Sequence, residues 1–522
     1  MNMTSITETA TDSGAALINA LCEAGAYDHQ VDSVNLIETH ISWVLLTGQY
    51  AYKIKKPVNF GFLDFSTLEK RLFFCREELR LNRRLAADLY LEVVPITGTV
   101  DKPKMGGQGD AIEYAVKMLQ FPTGCTLDER AQHGQLAVDA IDQLTDIIAD
   151  FHEAIAKAGV DSPYGDSENI RHWCIENFDH IRPLLNDDRH KQQLQLLEAW
   201  HHNEWCKQAE LMQRRKQQGA VRECHGDLHL GNITLINGRV TPFDCIEFNP
   251  MLRWVDVVSE AAFLILDLIR FGQKAYAYRF LNRYLQCTGD YQGLALLPYY
   301  LVYRAMVRAK VSLLRNSQQH NDACIDYGLY ADLAERFTKS REVALIITHG
   351  YSGSGKSTFA AGLAEYIGAI QIRSDVERKR LFGYRSQDSS GSAVNDGLYT
   401  QNAGELTYRH LAVLAKGVLE AGFPVIIDAA FLKKERRDLF RQLAIKQGVA
   451  FFIIDFHASD ETLARRIHQR QHDASEATVE VLQQQQRSAE PLSDQEQTDL
   501  ITVDTEDDNA LEKLLNRFAT YR

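Results

Sequence analysis

The sequence predicts two unlike domains: a mixed α+β domain over residues 1–338 and a parallel α/β domain over residues 343–522. Three observations lead there. A chain of 522 residues is longer than one ordinary core organises. Its early strand-like runs, between Trp43 and Leu119, are followed by long helical stretches, the segregation of an α+β unit. Beyond Thr338–Glu342, short apolar strands at Val343–Thr348, Ile370–Ile372, Pro424–Ile427 and Ala450–Ile454 alternate with helical segments, which indicates a parallel sheet.

Taken in order, Trp43–Leu46, a turn at Thr47–Gln49 and Tyr50–Lys55 read as a hairpin with a loop longer than two residues. Ser66 and Glu69 fit a capping box that opens a helix running to about Ala86. A strand at Ala111–Leu119 ends in the turn Phe121–Gly124. Helices are expected over Leu136–His152 and Ile170–Gln217, interrupted by a polar strand–turn–strand stretch at Val221–Phe248, and again over Val257–Leu314 and Tyr327–Phe337. Ser317–Asp322 reads as a loop, and Gln483–Gln486 as the exposed face of a helix.

Composition narrows the function classes. A formal net charge of −13 disfavours a nucleic-acid or anionic-membrane partner, either of which selects a basic surface. The most apolar run, Ala261–Ile269, is short and holds Asp267, so it reads as a buried helix and not a membrane span. Nine cysteines without a C-x-x-C pair suit reduced thiols in a cytoplasm. His225 and His229 lie four apart but lack a third ligand nearby, so they do not read as a metal cluster.

The run from Gly350 through Tyr351, Ser352, Gly353, Ser354, Gly355 and Lys356 to Ser357 follows an apolar strand and opens a helix that continues through Thr358, which is expected with these residues at the nucleotide. In that setting G-x-x-x-x-G-K-[ST] is a P-loop: glycines let the backbone curl so that its N–H groups meet phosphate oxygens at a helix N-terminus. Lys356 is expected on the β- and γ-phosphates and the Ser357 hydroxyl on Mg²⁺. Asp428, ending the strand Pro424–Ile427, is the expected second carboxylate for the metal. Asp375 is both a natural N-cap for a helix Val376–Leu381 and a candidate to bind or deprotonate an acceptor hydroxyl. Arg466 and Arg470, one helical turn apart, are candidates for a lid that closes on phosphates.

A second constellation lies upstream. His225-Gly226-Asp227-Leu228-His229-Leu230-Gly231-Asn232 has the H-x-D-x-x-x-x-N spacing in which Asp227 takes the proton of an attacking hydroxyl and Asn232 turns back to hold Mg²⁺. Asp244, in Val240–Glu247, is placed to share that metal. Strand alternation puts Ala51, Lys53 and Lys55 on one face; Lys53 is expected on the α- and β-phosphates, with Lys55 as the alternative. The helix carboxylates Glu77 and Glu78 are both candidate partners for that lysine, and Glu78 is preferred because its spacing to Leu85 and Ala86 resembles that of related kinases.

On these residues the region from Val343 onward resembles small-molecule P-loop kinases of the gluconate-kinase and zeta-toxin type, among the AAA-like ATP-binding proteins. The region from about Asn35 to Leu314 resembles the aminoglycoside-phosphotransferase family, which has the protein-kinase-like fold and phosphorylates small hydroxyl-bearing molecules. It departs from the kinase pattern in lacking a G-x-G-x-x-G loop ahead of Lys53 and in reading Asp-Cys-Ile where protein kinases read Asp-Phe-Gly. The order of the two halves resembles a bacterial protein type that joins such domains. The resemblance implies an ATP- and Mg²⁺-dependent kinase with two phosphoryl-transfer centres and a small hydroxyl-bearing acceptor; from charge and cysteine usage it is expected to be cytoplasmic, with no nucleic-acid or membrane partner, and the sequence indicates no particular oligomeric state. The rival expectation is a nucleotide-responsive regulator in which one domain binds ATP without turnover.

Overall fold

A computed structural model describes residues 14–61, 63–319, 323–385, 388, 400–469 and 478–521. Two compact units emerge. One gathers Met1–Leu136, Ala154–Asn169 and Gln213–Glu260; the other gathers Ala137–Glu153, Ile170–Met212 and Ala261–Arg522. The sequence boundary at 338–343 therefore falls inside the second unit, which combines upstream helices with the whole α/β region.

The first unit is built on a six-stranded antiparallel sheet of β1 (Asn35–Glu38), β2 (Ser42–Leu46), β3 (Tyr50–Lys55), β4 (Tyr90–Thr99), β5 (Lys102–Met105) and β6 (Ala111–Leu119), in the order β1-β2-β3-β6-β4-β5. The β2–β3 hairpin closes where the Thr47 amide and hydroxyl both donate to the Tyr50 carbonyl. One sheet face packs Leu45, Tyr52, Ile54, Ile96 and Ala115 together. The other receives the helix α1 (Leu68–Asn82), whose Cys75 meets Tyr90 and Val116. The cap of α1 differs from the expectation. Thr67 accepts from the Lys70 amide, whereas Ser66 donates to Asp64, so no Ser66–Glu69 box forms. The helix also ends at Asn82 instead of Ala86, where Arg83–Ala86 turn to feed β4. Downstream, β7 (Val221–Glu223) pairs with β10 (Trp254–Asp256), and β8 (Ile233–Ile236) forms a hairpin with β9 (Arg239–Pro242).

The second unit carries a five-stranded parallel sheet. Its strands are β11 (Ala344–His349), β12 (Ile370–Arg373), β13 (Val425–Asp428), β14 (Ala450–His457) and β15 (Leu500–Asp504), in the order β12-β13-β11-β14-β15. Leu345–Ile347 and Val425–Ile427 are fully buried, as strands covered on both faces by crossover helices must be. Five helices bear on the phosphate loop and its surroundings: α2 (Lys274–Thr288), α3 (Lys356–Ile367), α4 (Ser374–Leu381), α5 (Gln401–Glu420) and α6 (Lys434–Gln447). The central strand β11 runs directly into the loop before α3, and α3 packs Ala360, Leu363 and Ala364 against Ile346, Ile426 and Ile454. Helix α4 begins at Ser374 with Arg373 at its N-cap, so Asp375 sits inside the first turn and is not the cap. No helix among the described residues is long and apolar enough to cross a membrane.

Candidate active sites

In the first unit, β3 alternation points Lys53 and Lys55 the same way, toward α1. There Glu78, fully buried, receives both ammonium groups: Lys53 Nζ lies 2.8 Å from Oε1 and Lys55 Nζ 2.7 Å from Oε2. The series continues at each end. Lys53 also meets Asp244 Oδ1 at 2.5 Å, and Lys55 also meets Glu247. The result is a ladder of alternating charge, Asp244–Lys53–Glu78–Lys55–Glu247. Burial would drive Lys53 toward its neutral form, but Asp244, Glu78 and Glu247 outweigh it and raise its pKa. Burial likewise pushes the Glu78 carboxyl up, and the two lysines more than reverse this, leaving it below the usual range. Glu77, the other helix candidate, pairs instead with Arg80 at 2.9 Å.

Asp244 is held by backbone means. Its φ of +64° is in the left-handed region, its amide donates to the Tyr90 hydroxyl at 3.2 Å, and the next amide, of Cys245, donates to Asn82 Oδ1 at 2.8 Å. The same stretch is stitched to the H-x-D loop, because the Phe243 amide donates to the Asn232 carbonyl and the Ile246 amide to the His225 carbonyl. Within that loop Asn232 Nδ2 donates to the Asp227 carbonyl at 3.0 Å and to its Oδ2 at 3.1 Å. His229 Nε2 lies 3.5 Å from the same Oδ2. The ladder holds one more carboxylate than ammonium, and its end residue Asp244 keeps 41% of its side chain exposed. The oxygen donors of Asp244 and Asn232, with Asp244 partly exposed, fit a divalent cation there.

In the second unit the phosphate loop is shaped by its glycines. A Cβ on Gly350 (φ +133°) would sit 2.6 Å from the Phe456 carbonyl oxygen, and one on Gly353 (φ +87°) 2.6 Å from that of Leu463. Only glycine fits either place. Lys356 Nζ folds back to the Tyr351 carbonyl at 2.6 Å and to Ser354 Oγ at 3.4 Å. The Ser352 amide donates to Gln485 Oε1 at 2.8 Å, so one residue of the glutamine run, expected only to cover a helix face, reaches the loop. Arg466 also reaches it: its NH1 lies 3.4 Å from the Gly353 carbonyl oxygen and 2.8 Å from Thr505 Oγ1. Arg470 lies outside the described residues. Thr358 is exposed on the first turn of α3.

Asp428 ends β13 beside Arg373 of β12. Burial raises its pKa, opposed by Arg373 at 3.8 Å, by a hydrogen bond from Ser357 and by Lys356. A buried carboxylate in contact with the first helical hydroxyl after the loop fits Mg²⁺ held by Ser357 and Asp428. Next to it opens a cavity of about 1050 Å³, lined among others by Lys356, Asp375, Asp428, Tyr408 and Arg436. Asp375 faces it while paired with Arg378 at 3.2 Å, and Arg436 stacks on the Tyr408 ring with its guanidinium carbon 4.2 Å from the centroid.

A sequence-family model described as an AAA domain matches residues 345–492. Over 448 residues the chain is 30% identical to the uncharacterized protein Rv2004c of Mycobacterium tuberculosis, covering 86% of this chain and 88% of that relative. The uncharacterized protein Mb2027c of Mycobacterium bovis matches to the same extent. The chain belongs to the family of these proteins. Shared length of this order runs well beyond the AAA match, so the family includes upstream sequence as well as the P-loop region. Among solved structures, a gluconokinase from Sinorhizobium meliloti is 22% identical, covering 35% of this chain and 93% of its own, with a TM-score of 0.26. A choline kinase from Cryptosporidium parvum is 10% identical, covering 59% of this chain and 87% of its own, with a TM-score of 0.36. The C-terminal part is a P-loop kinase-like domain with a parallel sheet.

Several contributors escape a reading of the sequence. Glu247 ends the stretch Val240–Glu247 with no motif to give it a role, and only three-dimensional pairing with Lys55 supplies one. Asn82 and Tyr90, which hold the Asp244 backbone, carry no motif. Gln371 has a visible signal, a lone amide in the apolar strand Ile370–Ile372. Buried amides need partners, and this one finds Asp428.

Proposed function

We propose that the protein is an ATP- and Mg²⁺-dependent small-molecule kinase with two phosphoryl-transfer centres, one on each side of a functional boundary at residues 338–343. The observation that carries this reading is the upstream convergence: Lys53 ion-paired to both Glu78 and Asp244, on a segment stitched to the loop that joins Asp227 to Asn232. This set, in an aminoglycoside-phosphotransferase-like arrangement, has the parts that phosphoryl transfer requires. A domain kept only for binding has no use for a positioned base such as Asp227, which favours turnover over the regulator reading.

At the upstream centre Lys53 is held extended by Glu78 to meet the α- and β-phosphates, while Asp244 and Asn232 would hold the metal. Asp227 accepts the acceptor's hydroxyl proton as the oxygen attacks. At the second centre the loop amides of residues 352–357 and Lys356 grip the phosphate chain, and Ser357 and Asp428 would hold the metal. Asp375 faces the adjoining cavity, placed to orient an acceptor hydroxyl there. Bound Mg²⁺ neutralises charge on the phosphate oxygens; positioning and charge neutralisation provide most of the acceleration in such transfers.

The test is a screen of radiolabelled ATP against hydroxyl-bearing metabolites with wild type, Asp227→Ala and Lys356→Ala. The proposal expects Mg²⁺-dependent labelled products, one class lost with each variant. Absence of ATP turnover in the wild type, with nucleotide still bound, would favour the regulator.

A further inference from the structure

We infer that Asn282, on helix α2 upstream of the phosphate loop, is a positioning residue of the C-terminal centre, acting through Gln371 on Asp428. The inference rests on the reading that Ser357 and Asp428 hold Mg²⁺ there.

Strand β12 is at the edge of the parallel sheet. The outward N–H and C=O groups of an edge strand need partners once they are buried. Asn282, 6% exposed, satisfies one of each with a single side chain: its Nδ2 donates to the Ala369 carbonyl at 2.9 Å, and its Oδ1 accepts from the Gln371 amide at 2.6 Å. Its carboxamide thus takes the place a neighbouring strand would occupy. The residue whose backbone it fixes is the one whose side chain enters the metal site. Gln371, 3% exposed, donates from Nε2 to Asp428 Oδ2 at 3.0 Å and to the Ser357 carbonyl at 3.3 Å. One side chain therefore spans both residues assigned to Mg²⁺, and its own register is set by Asn282.

The surrounding contacts leave this arrangement little freedom. Gly368 closes α3 with φ +78°, and a Cβ there would lie 2.6 Å from the Tyr278 ring of α2. Arg279 of α2 pairs with Glu365 of α3 at 2.9 Å. A few residues on, the Tyr291 hydroxyl donates to Glu377 Oε1 at 3.1 Å, on the helix that carries Asp375. Glu377 is fully buried and also receives Arg380 and His410. The upstream segment 274–291 thus fixes both the strand next to Asp428 and the helix of Asp375. All of it precedes residue 345, where the AAA match begins, so this support is supplied by sequence outside that match. Partners behind a metal ligand orient it, and their loss weakens metal binding.

The test uses full-length protein carrying Lys53→Ala, so that the C-terminal site alone reports, and follows binding of a fluorescent mant-ATP while Mg²⁺ is titrated. Asn282→Ala and Gln371→Ala are each expected to raise the Mg²⁺ concentration for half-maximal binding by about tenfold. Nucleotide affinity in EDTA, which depends on the loop amides and Lys356, should stay within about twofold. The double variant should be no worse than Gln371→Ala, since both lie on one path. If Asn282→Ala does not fold, Asn282→Asp, which keeps an oxygen for the Gln371 amide and loses the donor to Ala369, is expected to hold the Mg²⁺ requirement within about twofold of wild type, and a rise of about tenfold there would overturn the inference. An unchanged Mg²⁺ requirement, or equal losses with and without the metal, would reduce Asn282 to scaffold and overturn the inference. No Mg²⁺-dependent binding in the Lys53→Ala protein with Asn282 and Gln371 intact would sink the P-loop reading, and this inference with it.

Discussion

On the proposed reading, the two candidate centres would meet the same ligand by opposite means. The upstream one is made of side chains: two lysines threaded between three carboxylates, with almost every charge committed to another before any phosphate arrives. The downstream one is made of backbone: glycines at positive φ shape a loop that leads into a helix N-terminus, with one lysine folded back on the loop. Charge ladders are tuned by electrostatics and are vulnerable wherever one rung is neutralised. A backbone cradle is indifferent to most side chains and intolerant of a single Cβ.

Substitutions can break that contrast. The largest effects are expected at the chemistry itself. Asp227→Ala should slow turnover at the upstream centre by about 10²–10⁴-fold, and Lys356→Ala should slow the downstream one by about 10²–10³-fold, each leaving the other centre intact in a steady-state assay. Glu78→Gln strikes the ladder. It leaves two buried ammonium groups short of a partner and should cost about 3–5 kcal/mol in a denaturant melt. Its pH signature has a definite sign. The Glu78 carboxyl lies below its ordinary range in the folded protein. Its contribution is therefore complete above the ordinary carboxylate pKa and is lost as pH falls through the folded value. Wild type should lose stability on acidification more steeply than Glu78→Gln.

Gly353→Ala strikes the cradle. Its Cβ meets the Leu463 carbonyl oxygen at a left-handed φ, and a loss of about 1–3 kcal/mol is expected, accompanied by weaker nucleotide binding at the downstream site only. The smallest effect belongs to Gln485→Ala. Removing the oxygen that accepts from the Ser352 amide releases that donor for phosphate and should tighten ATP binding by about fivefold, the worth of one modest hydrogen bond. A weakened affinity would instead make Gln485 part of the bound-state contacts.

The same contrast explains what is legible in the sequence. A backbone cradle is written in consecutive residues, so Gly350 to Ser357 can be read directly, together with the strand before it and the helix after. The ladder is assembled from β3, α1 and the stretch after β9, and consecutive text shows only its individual rungs. The likeness to kinases is enough to name Lys53 and Asp244 and to prefer Glu78 over Glu77, but the joint role of Lys55 and the presence of Glu247 emerge only from packing. Local signals also compete. Ser66 is the expected cap, but Asp64 captures its hydroxyl, and the adjacent Thr67 caps the helix instead. Strands β4, β5 and β15 escape the pattern because Pro95, Gly98 and Pro103 break the apolar alternation of the first two, while Leu500–Asp504 is short and lacks the continuous apolar run that marks the other parallel strands. The union of upstream helices with the α/β sheet has no local signature, since it depends on contacts such as that of the Asn282 amide with a strand edge 87 residues away at Ala369.

Nucleotide stoichiometry tests the central claim of two phosphate-binding centres most directly. Calorimetric titration of the full-length protein with a non-hydrolysable ATP analogue and Mg²⁺ should give two nucleotides per chain, falling to one in Lys53→Ala and one in Lys356→Ala. A single nucleotide per chain in the wild type, lost with only one of those substitutions, would contradict it.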